Sequence, residues 1–239
     1  MAHAQYSVAV IETEGGTFIG TPTIGQPFIA TQKTTSIQKL ADGTSITHIS
    51  TTKEARDSQG RMMNETKLPP NGAASGNGWS STFVVDPAER TTTSWFSQQK
   101  QATRYHQPDV EQAAARRARA IAAAKAANHA SATDSGPHPT TKHEQLGGRN
   151  IAGIYAEGTR ITTTYPVGSI GNDKPIVVVS ENWISPDLKL TVLQTNDDPR
   201  SGSRTVETTQ LDRSEPDPAL FQAPEGYTIK DIRPTSSPE

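Results

Sequence analysis

Turns at regular intervals between short β-branched runs dominate residues 158–227, and they constrain the fold of this chain more than any other feature. Ser185-Pro186-Asp187 places a proline at the first corner of a type I turn, so the chain is expected to fold back there. Beyond it, Leu188, Leu190 and Val192 alternate with polar residues, as in a strand with one buried face. The connections are too short for crossover helices, so the stretch predicts an antiparallel meander of about four strands.

Further hairpins are predicted upstream of this meander. Residues 28–56 form a long Thr-rich pair of runs with Asp42-Gly43 at the tip, a strong hairpin signal. Asp57-Ser58-Gln59-Gly60 turns into another run, and Asp86-Pro87-Ala88-Glu89 separates two strands of a third hairpin, which carries Trp95 and Phe96. The fold class expected is therefore mainly β, built from one large antiparallel sheet.

Residues 109–128 are the only stretch that predicts a helix. They follow Pro108, begin with acidic residues that suit the positive end of a helix dipole, and are rich in alanine. Arg116, Arg117 and Arg119 give the predicted helix a basic surface. Two interpretations remain open: a solvated helix lightly docked on the sheet, or a docking element for an acidic partner.

These elements predict one β-rich domain over residues 1–239. It comprises an N-terminal part at 5–100, a linker with the helix at 101–142, a meander at 143–229 and a tail at 230–239. Only 32% of the residues are hydrophobic, so the core is expected to be a single layer under a sheet.

The bulk charge and composition exclude several classes of partner and site. A net charge of −2 provides no field that would attract nucleic acid, and no apolar run is long enough for a transmembrane helix. The absence of cysteine excludes disulfides and thiolate metal sites. No cofactor is expected.

The N-terminus carries a short export pattern and a predicted strand. Ala2-His3-Ala4 before Gln5 has the small-x-small form of a signal-peptidase site, so we expect an exported protein of the periplasm or extracellular space. In residues 5–13, Tyr6, Val8 and Val10 lie on one face of a predicted strand. This strand is expected to pair with its own sheet or with the exposed edge of a neighbouring molecule.

Motifs of catalysis and metal binding are missing from the sequence. It contains no G-x-S-x-G, H-E-x-x-H, P-loop or G-x-G-x-x-G, and a hydrolase is supported only by the many carboxylates. His138 and His143 lie in a polar linker without the rigid geometry that zinc requires. Asn172-Asp173 and Asn196-Asp197-Asp198 offer oxygens to calcium, but they are also ordinary turn residues, which is the interpretation favoured here.

Three stretches together resemble a group of exported bacterial proteins known from acidobacterial genomes. They are Asp57-Ser58-Gln59-Gly60-Arg61, the segment 170–188 from Ile170-Gly171-Asn172-Asp173 to Trp183-Ile184-Ser185-Pro186-Asp187-Leu188, and the segment 215–227. The closing pattern of Leu220-Phe221 followed by Pro224-Glu225-Gly226-Tyr227 is also similar to the end of LolA, LppX and RseB type periplasmic proteins. That resemblance implies a curved half-barrel whose concave face is covered by helices and holds acyl chains.

Two functions from different classes are predicted. The first is an exported, non-enzymatic β-sheet protein that binds partners or assembles with itself by strand addition. The alternative is a periplasmic carrier or sensor of lipid or lipoprotein. It requires an apolar concave face, and the large residues expected to line that face or an interface are Phe28, Ile37, Trp95, Trp183, Leu190 and Phe221.

Overall fold

A computed structural model describes residues 22–68, 78–107, 118–119, 121–122 and 136–233. Thr, Val and Ile fill the alternating runs of these ranges, and such side chains suit a pleated, half-buried surface. The described residues form twelve strands and one short 3₁₀ helix, Pro218–Phe221. The strands are β1 Phe28–Lys39, β2 Ser45–Arg56, β3 Met62–Leu68, β4 Trp79–Asp86, β5 Thr91–Phe96, β6 Gln101–His106, β7 Thr140–Ile151, β8 Ile154–Tyr165, β9 Ile176–Ser185, β10 Leu190–Asp198, β11 Gly202–Asp212 and β12 Thr228–Ile232.

All twelve strands belong to a single sheet with the order β12-β6-β5-β4-β3-β2-β1-β11-β10-β9-β8-β7. Neighbouring strands are antiparallel, except that β12 runs parallel to β6. In the part of the chain that the structure describes, the end strands β12 and β7 are not paired with each other, so the sheet is open.

Strand β1 lies in the middle of the sheet and joins two sequential meanders. On one side it pairs with β2, and strands β3 to β6 come next in chain order. On the other side it pairs with β11, beyond which strands β10 to β7 are arranged in reverse order. After β11, residues 213–227 cross the first meander and place β12 beside β6.

Two hydrophobic clusters lie on opposite faces of the sheet at β1. Phe28 and Ala30 belong to a cluster with residues of β8, β9 and β10, whereas Ile29 packs against a cluster formed by β2 to β6. Successive side chains of a strand point to opposite faces, so the two clusters do not share a face at this strand. We call the two sides of strands β1 to β6 the Phe28 face and the Ile29 face.

The β9–β10 turn folds over the Phe28 face. Strands β2 and β10 are three positions apart in the sheet, which is about 14 Å in a flat one. Nevertheless, Arg56 Nη2 of β2 donates a 2.6 Å hydrogen bond to the carbonyl oxygen of Leu188. Register shifts in β1·β11, β9·β10 and β7·β8 accompany this curvature, because β-bulges bend strands and increase twist.

The mainly β class and the predicted hairpins are confirmed. The β1–β2 hairpin turns at Gly43 with a φ of 87°, and β9 ends at Ser185 before β10 begins at Leu190. Leu188, Leu190 and Val192 are buried, with 2%, 1% and 0% of their surface exposed. The second meander begins earlier than the sequence predicts, because β7 starts at Thr140, within the stretch expected to be a linker.

The predicted helix over residues 109–128 is not supported. Four of its residues are described, and these are helical and exposed; the others lie outside the described residues. An alanine-rich stretch has helix propensity but few large apolar groups to pack against a sheet, and most helical stability in proteins comes from such packing. No α-helix is found among the described elements.

Candidate ligand-binding face

An apolar and aromatic surface runs along the Phe28 face of strands β3 to β6. The cross-strand register places Met62 opposite Val85, and Val85 in line with Thr92 and Tyr105. Alternation along β4 puts Trp79 and Phe83 on the same face as Val85, and Phe96 lies opposite Ser81 on that face. We call this set the aromatic strip: Met62, Trp79, Phe83, Val85, Phe96 and Tyr105.

The aromatic residues of the strip keep much of their area exposed, whereas Val85 is buried with 7% of its surface exposed. Phe96 and Tyr105 have 43% and 37% of their surface exposed, and Trp79 and Phe83 are half-buried. The rings of Trp79 and Phe96 meet edge to face with 5.6 Å between their centroids. None of the six residues belongs to either hydrophobic cluster of the described chain.

A charged pair adjoins the strip on the same face. Arg56 is buried next to Met62, donates to the carbonyl oxygens of Gln26 and Leu188, and lies 4.7 Å from the centroid of the Phe28 ring. Glu54 is two residues away and retains partial contact with solvent. Burial raises the pKa of Glu54 to about 7, although the positive charge of Arg56 acts in the opposite direction. The face therefore combines an apolar strip with a carboxyl that takes up a proton near neutral pH.

The opposite face of the same strands is covered by the chain itself. Trp95 and Phe221, two residues predicted to line a ligand or interface surface, lie there in one cluster and are 8% and 7% exposed. Leu220, Ala223 and Tyr227 of the crossing segment pack on this cluster. The Ile29 face of this half is thus occupied by residues 213–227.

Three other predicted site residues come together in the other hydrophobic cluster, which is formed by residues of β1, β8, β9 and β10. Phe28, Trp183 and Leu190 are at most 4% exposed. Arg149 stacks over the Trp183 ring at 3.9 Å, and a Cβ at Gly158 would lie 2.7 Å from that ring. Glycine is therefore required where the indole lies against β8. These residues form core contacts, and the structure does not bring them together with Trp95 and Phe221.

The remaining predicted site residues are separate from both clusters or lie outside the description. Ile37 is half-buried near the far end of β1. Tyr6, Val8 and Val10 of the predicted exchanged strand, and Arg116 and Arg117 of the predicted docking helix, lie outside the described residues. Arg119 is described and is exposed.

The loops considered for calcium use their polar groups locally. Asn172 Oδ1 accepts from the Ile170 amide, and its Nδ2 donates to three carbonyl oxygens of its own loop. Asp198 holds the guanidinium of Arg200 at 2.6 Å. Among the described residues, no group of three or more potential metal ligands is found, and no helix has the length and hydropathy to span a membrane.

Sequence reasoning missed Phe83, Phe96 and Trp79 as one surface. Their common face is set by the register of β3, β4 and β5 and not by any local motif. The available signal was the alternation Trp79, Ser81, Phe83, Val85 along one strand.

Comparison with known proteins gives only distant likenesses. No protein-family model matches the chain, and no curated protein matches it. An uncharacterized conserved protein from Thermus thermophilus is 9% identical with a TM-score of 0.42, covering 87% of this chain and 91% of that one. MucB in a complex with MucA from Pseudomonas aeruginosa is 12% identical with a TM-score of 0.40, covering 87% of this chain and 59% of that one.

A LolA superfamily protein from Nitrosomonas europaea is also similar, with 7% identity, a TM-score of 0.34, and coverage of 84% of this chain and 92% of that one. The LolA type that the closing motif resembles thus occurs among the structural neighbours, while the acidobacterial group is not shown. Because these TM-scores are below 0.5, the likenesses carry no functional argument.

Proposed function

We propose that this protein is an exported, non-enzymatic carrier or sensor of the cell envelope that holds an acylated ligand against the aromatic strip. The ligand class is a lipid or the acyl chain of a lipoprotein. The observation that carries the proposal is the partly exposed apolar surface of Phe83, Phe96 and Trp79 on a face that residues 213–227 leave uncovered. Large exposed apolar patches on soluble proteins mark interaction sites.

The dimensions of the strip fit an extended hydrocarbon chain. From Trp79 to Val85, strand β4 extends about 20 Å, and from β3 to β6 the sheet is about 14 Å wide. Burying an acyl chain there removes apolar area of both partners from water, at roughly 25 cal/mol per Å². Asn64, Thr66 and Ser94 lie between the apolar side chains of the strip, so they reduce the apolar area that a ligand can bury. The lower affinity that results suits a ligand that must be released.

A fatty-acid binding assay tests the proposal. We expect the full-length protein to bind a fluorescent fatty acid, and Phe83→Ser to weaken this binding about tenfold or more because it removes the central ring of the strip. The control is Ile49→Ser, which removes a side chain that is 51% exposed on the Ile29 face of β2 and should bind like the parent. Circular dichroism checks that both variants fold. Equal binding by the parent and Phe83→Ser, or no binding by the parent, contradicts the proposal.

The second candidate, assembly by strand addition, is supported by the edge strand β7. It is twelve residues long, largely exposed, and paired on one side only among the described strands. An edge of this length offers backbone groups to an added strand. The bulge near Gly147 and the charged Lys142 and Glu144 oppose such pairing, so the aromatic strip supports its candidate more strongly.

A further inference from the structure

A row of polar side chains crosses five strands on the half of the sheet away from the aromatic strip. The register places Ser36 of β1 directly opposite both His48 of β2 and Arg204 of β11. Arg204 is opposite Asn196 of β10, which is opposite Ser180 of β9. Directly opposed residues share a face with Cβ atoms about 5 Å apart, so the five side chains form one continuous polar row.

The central part of this row lines a depression of about 310 Å³. Ser36, His48, Asn196 and Arg204 line it together with Ser201 and Gly202 of the β10–β11 turn. Gly202 has a φ of 97°, and a Cβ there would collide with the Ile37 carbonyl oxygen. The turn can therefore approach β1 closely only because this residue is glycine.

Within the described chain, the two basic side chains of the row are exposed and lack side-chain partners. On the opposite face of the sheet, Lys33 pairs with Glu207 at 3.4 Å, and Arg160 pairs with Glu181 at 2.6 Å. Neither Arg204 nor His48 takes part in a side-chain hydrogen bond or ion pair with any described residue. Nearby, Asp198 is engaged by Arg200 at 2.6 Å, so its charge is largely neutralised.

We propose that this depression binds a phosphate group, with Arg204 as its principal ligand. The Arg204 guanidinium pairs with no described side chain, and a guanidinium presents several N–H donors in a fixed fork that matches the oxygens of a phosphate. The Ser36 and Ser201 hydroxyls supply further donors at the rim of the same depression. Asn196 donates its amide to Ser180 Oγ at 2.7 Å and so stiffens the wall beside Arg204.

The phosphate has two possible sources, a lipid headgroup or a free phosphate, and they are distinguishable. The site shares no residue with the aromatic strip, and its test rests on the loss caused by substituting Arg204, which acyl-chain binding at the strip does not predict. Two probes are used with the full-length protein: inorganic phosphate by calorimetric titration, and vesicles of phosphatidylglycerol in phosphatidylcholine by flotation.

We expect at least one probe to bind, and Arg204→Gln to weaken that binding about tenfold, as the loss of charged hydrogen bonds implies. Arg204→Lys keeps the charge but loses the fork, so its affinity should be intermediate. The matched control is Arg213→Gln, which removes an equal charge just beyond the same strand and should bind like the parent.

The outcomes distinguish a lipid headgroup from a free phosphate, and they distinguish failure of the phosphate site from failure of the acyl-binding strip. Vesicle binding that Arg204→Gln weakens, without any binding of inorganic phosphate in the titration, indicates a lipid headgroup, whereas binding of inorganic phosphate alone indicates a free phosphate. Equal losses in Arg204→Gln and Arg213→Gln would indicate general charge attraction and overturn the site. No binding of either probe by the parent also overturns it, and leaves the fatty-acid result at the strip unaffected.

Discussion

At the scale of single residues, Glu54 is the group whose environment most changes its acidity. Its carboxyl lies between Ala30 and Asn64 on the Phe28 face, and burial raises its pKa from 4.5 to about 7. The folded protein therefore holds a proton that the unfolded chain releases between these pH values. The contribution of Glu54 to the free energy of unfolding is therefore at its full value below pH 4.5 and is lost as the pH rises through about 7.

Replacing Glu54 by Gln should remove this pH dependence. At pH 8 we expect Glu54→Gln to be more stable than the parent by about 1–3 kcal/mol, and at about pH 4.5 to differ little. Urea unfolding at several pH values measures the effect, with Glu225→Gln as an exposed control. A parallel pH profile for parent and Glu54→Gln would contradict the assignment.

Individual residues also show what the sequence can and cannot predict. Asp42-Gly43, Pro87 and Pro186 fix local backbone geometry, so the turns they form are predictable. Leu188, Leu190 and Val192 are predictable as a buried set because alternation is local. Trp95 and Trp183 look equivalent in the sequence, yet they lie in different clusters. Their separation depends on cross-strand register and strand order, which arise from pairings between distant segments.

At the scale of elements, the β2–β3 turn acts as a clasp for the crossing segment. Asp57 is 1% exposed and accepts hydrogen bonds from the amides of Gln59 and Arg61 and from Arg61 Nε at 2.6 Å. The guanidinium of Arg61 then lies 4.9 Å from the centroid of the Phe221 ring. Glu215 Oε1 accepts from both the amide and the hydroxyl of Ser58.

The clasp joins two of the three stretches that carry the resemblance, Asp57-Ser58-Gln59-Gly60-Arg61 and residues 215–227. Contacts between the two stretches account for Ser58, Arg61, Glu215 and Phe221, because they hold the crossing segment over the cluster that contains Trp95 and Phe221. At these positions the motifs have a structural role and do not identify a ligand.

Removing the Asp57 carboxylate of the clasp should lower the stability of the folded protein. Asp57→Ala leaves two amides and a partly buried guanidinium without their acceptor, and we expect a loss of about 2–4 kcal/mol in the free energy of unfolding. Asp42→Ala is the control, since Asp42 caps an exposed turn by accepting from the Thr44 amide, and should cost about 1 kcal/mol or less. Urea midpoints compare the two, and equal losses would argue against the clasp.

At the scale of the whole molecule, the sheet formed by the described strands is open, and among these strands β7 lies along an outer edge. If strand addition occurs, a second copy adds to this edge by backbone hydrogen bonds. The native mass measured by light scattering should then rise with concentration, and amides of residues 140–151 should gain protection from hydrogen exchange. A chain lacking residues 5–13 tests whether the predicted exchanged strand is the donor. A constant monomer mass, unchanged by that deletion, excludes assembly.

The central position of β1 has a consequence for how the molecule reaches its native state. The Thr31 hydroxyl of β1 donates a hydrogen bond to the side-chain oxygen of Gln210 in β11, which lies 179 positions further along the chain. The first meander can form from local hairpins during synthesis, but the far side of β1 stays unpaired until almost the whole chain is available. Closing so long a loop makes folding slow. Until β11 is available, one edge of β1 presents unpaired backbone N–H and C=O groups, and this edge is the surface that a chaperone would have to shield.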